Sequence, residues 1–264
     1  MEILKDKESL RNICQKITQS KAKLSLVPTM GMLHAGHLSL IDAAFKHSPY
    51  VIVSIFINPK QFNNQSDFEQ YPSDIEHDLN LLKKKGVGYV YMPKKADFYR
   101  DNFAFDIKIN HLADSLCGVT RPGHMNGVCV VLLKLLNLIR PDFAFFGEKD
   151  YQQLQIIKNL ALDFDLDTQI IGCKTAREAS GLAMSSRNKR LSEYNLKQIA
   201  PILYESLLYL KNKILNNEPT LHSQLIEDTK AQLLNQGFSK IDYLEILNSN
   251  LTKYDPNIKD ARIF

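Results

Sequence analysis

Long apolar runs are absent from this chain of 264 residues. No stretch approaches the roughly 18 consecutive apolar residues that a membrane-spanning helix requires, so we expect no association with a membrane. The first residues, MEILKDKESLRNICQK, are polar and charged where a secretory signal peptide has an apolar core. We therefore expect a protein that stays in the cytoplasm.

Cysteine is scarce and scattered. The four residues, Cys14, Cys117, Cys129 and Cys173, include no C-x-x-C pair. This spacing indicates reduced thiols in a cytoplasm rather than disulfide bridges or a zinc site.

The chain also lacks a strong excess of either charge. Its 33 Lys and Arg against 29 Asp and Glu leave a net charge of +4 with His neutral. The basic residues are dispersed along predicted helices rather than clustered, so we expect no nucleic-acid partner.

Short apolar runs alternate with amphipathic segments and predict the fold class. Strands are predicted at residues 24–28, 50–57, 89–92, 143–146 and 168–173, and helices at 38–46, 74–85, 125–139 and 151–162. Continuous apolar strands alternating with helices favour an α/β fold, a Rossmann-like doubly wound parallel sheet. A second, smaller C-terminal α/β domain follows, and we place the domains at 1–174 and 175–264.

The C-terminal domain has its own predicted elements. Two helices, at about 192–215 and 220–236, bracket Glu218-Pro219, and an alternating pattern predicts a strand in SKIDYLEIL.

The strongest chemical signal is His34-Ala35-Gly36-His37, between the first predicted strand and the first helix. A helix N-terminus offers unpaired backbone N–H groups and the positive end of the helix dipole, which attract a polyphosphate. Imidazoles there can stabilise charge that develops on a leaving group. An isolated pair of histidines more often has a structural role, but the strand–loop–helix context favours nucleotide binding. The H-E-x-x-H zinc spacing, the P-loop and the dinucleotide fingerprint are all absent.

Four further polar segments carry weaker signals. Ser185, Ser186 and Arg187 suit phosphate oxygens, although a Ser-rich helix cap is the more common explanation of such a segment taken alone. Lys149 and Asp150, in GEKD at the end of a predicted strand, suit phosphate and ribose, or form a charged surface turn. The amides of NPKQF at 58–62 suit a small polar substrate or cap a turn, and RPGH at 121–124 opens a predicted helix.

Together these segments resemble the pantothenate synthetase (pantoate–β-alanine ligase) family. The resemblance is carried by PTMGMLHAGHLSLI, VSIFINPKQF, RPGHMNGV, KLLNLIRPDFAFFGEKDYQQL and GLAMSSRN, in the family's order from Pro28 to Asn188. The HxGH pattern alone is shared by a broad nucleotidyltransferase superfamily, whereas NPKQF and GEKDYQQL are much narrower.

The resemblance implies a two-step reaction. The carboxylate of (R)-pantoate attacks the α-phosphate of ATP, pyrophosphate leaves, and the amine of β-alanine then displaces AMP from the pantoyl adenylate to give pantothenate, a coenzyme A precursor. It implies a cytoplasmic homodimer, a nucleotide- and pantoate-binding first domain and a lid-like second domain. Mg²⁺ is expected to accompany ATP, without a dedicated set of protein ligands.

The resemblance also assigns residues. ATP is expected to contact Met30, Gly31, Met32, Leu33, His34, Ala35, Gly36, His37, Gly147, Glu148, Lys149, Asp150, Ala176, Met184, Ser185, Ser186 and Arg187. Catalytic roles fall to His37, as the proton donor, and to His34, Lys149 and Arg187. Gln61 and Gln153 are expected to hold pantoate, with Gln61 also near β-alanine, and Arg121 and His124 receive no role.

Three departures from the family pattern stand out. Ala176 replaces a usual Val beside the adenine, and Ser180 replaces a common Asp before Gly181. The sequence stops at DARIF, where the family continues through a strand containing RLIDN, so we expect the small domain to lack an edge strand.

Two other functions fit parts of the pattern. A nucleotidyltransferase that leaves the nucleotide on its product would need HxGH alone, but it would not need Gln61 and Gln153. The other alternative is a module that binds a nucleotide without catalysing a reaction. Such a module would not need all of the residues His34, His37, Lys149 and Arg187, which are present in this chain.

Overall fold

The computed structural model describes residues 1–216, 222–255 and 260–264. The chain divides into two compact units, Met1–Ala176 and Arg177–Phe264. In the first unit the strands are β1 (Glu2–Leu4), β2 (Leu24–Thr29), β3 (Tyr50–Ile55), β4 (Tyr89–Tyr91), β5 (Phe143–Gly147) and β6 (Gln169–Cys173). Its helices are α1 (Lys7–Gln19), α2 (Ala35–Phe45), α3 (Gln65–Glu69), α4 (Ile75–Lys84), α5 (Lys95–Phe98), α6 (Leu116–Thr120), α7 (His124–Ile139) and α8 (Tyr151–Asp163), with 3₁₀ turns at Pro59–Gln61 and Glu148–Asp150.

The six strands form one parallel sheet in the order β1-β4-β3-β2-β5-β6. From β2 the chain therefore runs outward through β3 to β4, which lies next to the edge strand β1, and then returns to the other side of β2 at β5. In sheets of this kind, ligands bind beyond the carboxyl ends of the strands, next to the point where the order reverses.

Apolar cores cover both faces of the sheet, as the continuous apolar strands predict. Leu26 belongs to the core built with α1, α7 and α8, whereas its neighbour Val27 belongs to the core built with α2 and α4. Phe146 and Phe145 divide between the two cores in the same way. The alternation along each strand fixes which face every helix covers.

The second unit is smaller and has little sheet. It contains a 3₁₀ turn at Ser186–Arg190, a π-helical turn at Asn195–Ile199, the helices α9 (Ile202–Asn216) and α10 (His222–Asn235), and the strands β7 (Ile246–Leu247) and β8 (Arg262–Ile263). Leu210, Ile214 and Leu244 form its core. The two strands pair antiparallel, with Ile246 opposite Ile263.

The predicted fold class, a doubly wound parallel sheet with a smaller C-terminal domain, is confirmed. The helix predicted at about 192–215 is divided into two pieces, the π-helical turn and α9. The strand predicted in SKIDYLEIL is reduced to the two residues of β7. Glu218 and Pro219 lie outside the described residues.

The sequence analysis did not predict the strands β1 and β8 or the helices α1, α3, α5 and α6. The three residues of β1 pair with β4 at the sheet edge, and α1 follows directly. Leu10, Ile13, Cys14 and Ile17 give α1 a buried stripe with helical spacing, and this was the signal that could have identified it. Within the described parts of the chain, no helix is long and apolar enough to cross a membrane.

Candidate active site

Three of the polar segments follow three neighbouring strands of the sheet. β2 and β3 are in register up to Thr29 and Ile55, and β5, on the other side of β2, ends at Gly147. The segments after these strands are residues 30–34, 56–61 and 148–150. Because the carboxyl ends of parallel strands meet at one edge, the fold brings HxGH, NPKQF and GEKD to the same rim.

His34 and His37 cap the N-terminus of α2. Nδ1 of His34 accepts from the backbone N–H of Gly36 at 3.1 Å, and Nδ1 of His37 accepts from the backbone N–H of His34 at 3.3 Å. The two ring centroids are 4.1 Å apart. Since each Nδ1 is an acceptor, each neutral ring carries its proton on Nε2. Both imidazoles are thus Nε2–H donors at a helix N-terminus.

The surroundings of His37 strongly disfavour its charged form. Burial, together with the nearby His34 and the cation of Lys149, lowers the pKa of His37 to about 3 from an ordinary value of 6.5. His37 is therefore neutral at physiological pH in the ligand-free protein. This protonation state suits hydrogen-bond donation, whereas the proton-donor role implied by the family resemblance would require an imidazolium.

A buried carboxylate holds the loop before the histidines. Asp78, on α4, has no exposed surface, and its two oxygens accept from the backbone N–H groups of Met32 at 2.8 Å and Leu33 at 2.7 Å. Burial raises the pKa of Asp78, opposed by these two hydrogen bonds. Asp78 thus fixes the backbone of residues 32 and 33.

The same loop has two residues with left-handed backbone. Gly31 has φ +82° and Met32 has φ +51°. A Cβ on Gly31 would lie 2.9 Å from Oδ2 of Asp78, so glycine is required both by the conformation and by the approach of the carboxylate. Methionine does not favour a left-handed backbone conformation. The hydrogen bonds that Asp78 accepts offset the resulting strain at Met32.

Gln61 connects the loops after β2 and β3. Its Oε1 accepts from Nδ2 of Asn58 at 3.1 Å, and its Nε2 lies 2.8 Å from Sδ of Met30. Gln61 is buried at the end of the 3₁₀ turn. Gly127 on α7 packs against this turn so closely that a Cβ would lie 2.0 Å from the carbonyl oxygen of Lys60.

The segment RPGH fixes the backbone of Gln61. Nδ1 of His124 donates to the carbonyl oxygen of Gln61 at 2.7 Å, because a carbonyl only accepts. Nε2 of His124 then accepts from the guanidinium of Arg121, 3.1 Å away. Arg121 and His124, for which the sequence indicated no role, therefore support a residue that it did single out.

The two adjacent glutamines of the segment GEKDYQQ have different surroundings. Gln152 is buried and donates to the carbonyl oxygens of Leu112 and Ser115, so it holds the 112–118 segment in place. Gln153 is half-buried in the first turn of α8. Lys149 is exposed, and its ammonium lies 3.4 Å from Oδ1 of Asp150.

The remaining predicted residues belong to the end of the first unit and to the second unit. Ala176 is the last residue of the first unit, and Met184, Ser185, Ser186 and Arg187 lie in the second. Oγ of Ser185 accepts from the N–H of Arg187 at 3.2 Å and caps the 3₁₀ turn. A capping role for Ser185 is therefore observed, and phosphate binding by these residues stays a prediction.

Asp78 and Tyr99 were not identified from the sequence as candidate site residues. Asp78 lies four residues before Leu82 on the buried side of α4, and a carboxylate on an apolar helix face is the signal that could have found it. Tyr99 carries no such signal in the sequence, and its hydroxyl lies 2.9 Å from Oδ1 of Asn58.

The chain is similar to known proteins over its whole length. The family model described as pantoate-beta-alanine ligase matches residues 2–264. Among curated relatives, the pantothenate synthetase of Caldicellulosiruptor saccharolyticus is 41% identical over 90% of this chain and 84% of the relative. That of Clostridioides difficile is 42% identical over 94% of this chain and 87% of the relative.

Solved structures show similarity to the same family. The crystal structure of pantothenate synthetase from Thermus thermophilus matches with a TM-score of 0.86 and 33% identity, covering 96% of this chain and 90% of that one. The pantoate-beta-alanine ligase of Francisella tularensis, complexed with beta-gamma ATP and beta-alanine, matches with a TM-score of 0.83 and 37% identity, covering 94% and 90%. Its motifs, fold and match from residue 2 to residue 264 place this chain in the pantoate–beta-alanine ligase family.

Proposed function

We propose that this enzyme joins (R)-pantoate to β-alanine with ATP, giving pantothenate, AMP and pyrophosphate through a pantoyl adenylate. The observation that carries the proposal is the meeting, at one sheet edge, of the two-histidine cap of α2 with the buried Gln61. The first suits a triphosphate, and the second suits a small hydroxy acid. The complex of the Francisella relative with beta-gamma ATP and beta-alanine supports two of the three proposed substrates, ATP and β-alanine.

ATP binding is assigned to the loop from Met30 to His37. Its backbone is held by Asp78, so N–H and C=O groups lie in place before the nucleotide arrives. The Nε2–H groups of His34 and His37 donate to phosphate oxygens and stabilise the negative charge that grows as pyrophosphate leaves. In this role His37 donates a hydrogen bond without giving up its proton.

Cations complete the polyphosphate site. Lys149, exposed beside Asp150 on the same rim, neutralises phosphate charge, and Gly147 to Asp150 approach the ribose and phosphates. By the family resemblance, Arg187 is assigned to the phosphates together with Met184, Ser185 and Ser186, and Ala176 is assigned to the adenine. Mg²⁺ enters as part of the MgATP substrate, bound to phosphate oxygens.

Pantoate is assigned to Gln61 and Gln153. Asn58 occupies the Oε1 side of the Gln61 amide, and the Nε2–H₂ group, which lies 2.8 Å from Sδ of Met30, has a second hydrogen to donate to a carboxylate or hydroxyl oxygen. In the first step, the pantoate carboxylate attacks the α-phosphate. In the second, the β-alanine amine attacks the acyl carbon near Gln61 and AMP leaves with the bridging oxygen. The substrates supply both nucleophiles, so the protein acts by positioning and charge stabilisation.

We also propose that the enzyme is a cytoplasmic homodimer. Within the described residues Cys14, Cys117, Cys129 and Cys173 form no disulfide, which suits a reducing compartment. Light scattering would measure the oligomeric state, and a monomer at micromolar concentration would refute the dimer.

Pyrophosphate release tests the function. With ATP, Mg²⁺ and pantoate alone we expect release of pyrophosphate limited to about one equivalent per site, and continuous release with AMP and pantothenate once β-alanine is added. A nucleotidylated product that accumulates regardless of β-alanine would favour the alternative, a nucleotidyltransferase. ATP binding without any pyrophosphate would refute the ligase.

A further inference from the structure

Tyr99 is a buried aromatic residue whose hydroxyl reaches toward the candidate site. It directly follows α5, is 7% exposed, and its hydroxyl lies 2.9 Å from Oδ1 of Asn58, a residue 41 positions away in sequence. An amide oxygen only accepts, so the Tyr99 hydroxyl donates this hydrogen bond.

The hydrogen bonds of Asn58 fix the orientation of its side-chain amide. Its side chain is fully buried, Oδ1 also accepts from the N–H of Lys60 at 3.3 Å, and Nδ2 donates to the carbonyl oxygen of Gly127 at 2.9 Å. Donors on one side and an acceptor on the other allow one orientation of the amide. The remaining Nδ2 hydrogen therefore faces Gln61 and requires its Oε1 on that side.

We propose that Tyr99 is a positioning residue for pantoate, acting through Asn58 to keep the Nε2–H₂ group of Gln61 turned toward the substrate. The inference rests on the proposed role of Gln61. If the Gln61 amide flipped, it would offer an acceptor to the carboxylate of pantoate, and the hydrogen bond would be replaced by repulsion.

Removal of the hydroxyl should leave the Tyr99 ring in place. The ring packs at 5.0 Å from that of Phe98 and at 5.2 Å from that of Phe103, and the ammonium groups of Lys60 and Lys134 each lie 5.7 Å from its centre. In Tyr99→Phe these contacts persist, while Oδ1 of Asn58 keeps only the longer bond from Lys60. The variant therefore changes the relay with little change in packing.

The chain offers a matched control in Tyr91. This residue on β4 is fully buried, and its hydroxyl has no hydrogen-bond partner among the described residues. Tyr91→Phe removes the same atom from the same kind of environment, but without a link to Asn58. We expect it to keep wild-type kinetics.

The experiment compares steady-state kinetics of Tyr99→Phe, Tyr91→Phe and Gln61→Ala with both substrates varied. For Tyr99→Phe we expect kcat/KM for pantoate to fall about five- to ten-fold, the effect of one lost hydrogen bond, with the KM for ATP unchanged. A purely structural role would lower the Tm and leave the pantoate dependence of the folded enzyme as it was. That result would overturn the proposal.

The double variant Tyr99→Phe/Gln61→Ala separates the two claims. If the relay acts through Gln61, the Tyr99 effect disappears in the Gln61→Ala background, so the two effects are not additive. Full additivity, or wild-type kinetics of Tyr99→Phe beside an impaired Gln61→Ala, overturns the relay alone. An unchanged pantoate dependence in Gln61→Ala refutes the proposed role of Gln61 and the relay with it.

Discussion

The backbone N–H of His34 donates to Nδ1 of His37, and the two residues together form a capping box at the start of α2. A side chain commonly caps a helix by accepting from the first backbone N–H groups. Here both caps are imidazoles, so helix capping also dictates that the neutral rings carry their protons on Nε2. Local folding and the chemistry of the site thus depend on the same two atoms.

His37 should remain neutral well below the pH at which an ordinary histidine is charged. Burial and the cation of Lys149 lower its pKa to about 3, so we expect the Nε2–H tautomer at pH 5. Long-range ¹H–¹⁵N spectra would show one protonated and one bare ring nitrogen, and His37→Asn would identify the signals. An imidazolium spectrum at pH 6 would contradict the assigned role.

The same pKa has a consequence for stability. The unfolded chain, with a His pKa near 6.5, binds a proton that the folded state excludes down to about pH 3, so His37 destabilises the fold as the pH falls through that range. Stability of the His37→Asn variant should therefore fall less between pH 6.5 and pH 4 than that of the wild type.

Lys149→Ala should damage chemistry far more than folding. Its ion pair with Asp150 lies at the surface, where such pairs contribute about 0–1 kcal/mol, so the Tm should change little. Loss of the cation at the triphosphate should slow adenylate formation by about 100-fold or more. Single-turnover pyrophosphate release measures this step.

Lys85→Ala is the matched control for Lys149, because it breaks the surface pair of Lys85 with Asp42 at 2.7 Å. Equal losses of rate in the two variants would remove Lys149 from the site.

Asp78→Asn should weaken both the loop and ATP binding. An amide group would turn a donor toward one of the N–H groups of Met32 and Leu33, and an unsatisfied buried group costs about 1–3 kcal/mol of unfolding free energy. We expect a higher KM for ATP as well as a lower denaturant midpoint.

Asp142→Asn is the comparison for Asp78. Asp142 accepts from the backbone N–H of Leu24 at 2.9 Å, at the opposite end of β2, and from Lys23. It should lose stability without a change in the KM for ATP. If both variants show the same KM, the role of Asp78 is structural only.

Local patterns in the sequence predicted much of the fold and part of the site. The apolar runs at Leu24–Thr29 and Tyr50–Ile55 identified the central strands, and the segment HAGH marked the start of α2. Parallel strands with helical connections then required the loops after them to share one rim. The position of NPKQF after a predicted strand marked the amides of this segment, Gln61 among them, as candidates for a small polar substrate, and the family resemblance assigned Gln61 to pantoate.

Such patterns could not predict contacts between residues that are far apart in the sequence. Asp78 binds Met32 across 46 positions, and Tyr99 binds Asn58 across 41. A carboxylate on the apolar face of α4 marks Asp78 as unusual, but nothing near Asp78 or Tyr99 in sequence identifies the residue that each one contacts. Their partners are set by how α4 and the segment after α5 return to the sheet, which is a property of the tertiary structure.

The central claim is that the pantoate carboxylate attacks the α-phosphate of ATP. Pantoate labelled with ¹⁸O in both carboxylate oxygens, incubated with ATP, Mg²⁺ and β-alanine, tests it directly. Because AMP departs with the bridging oxygen, the account predicts one ¹⁸O atom in the phosphate of each AMP, read by mass spectrometry or ³¹P NMR. Unlabelled AMP formed together with pantothenate would contradict the pantoyl adenylate and the assignment of the site to it.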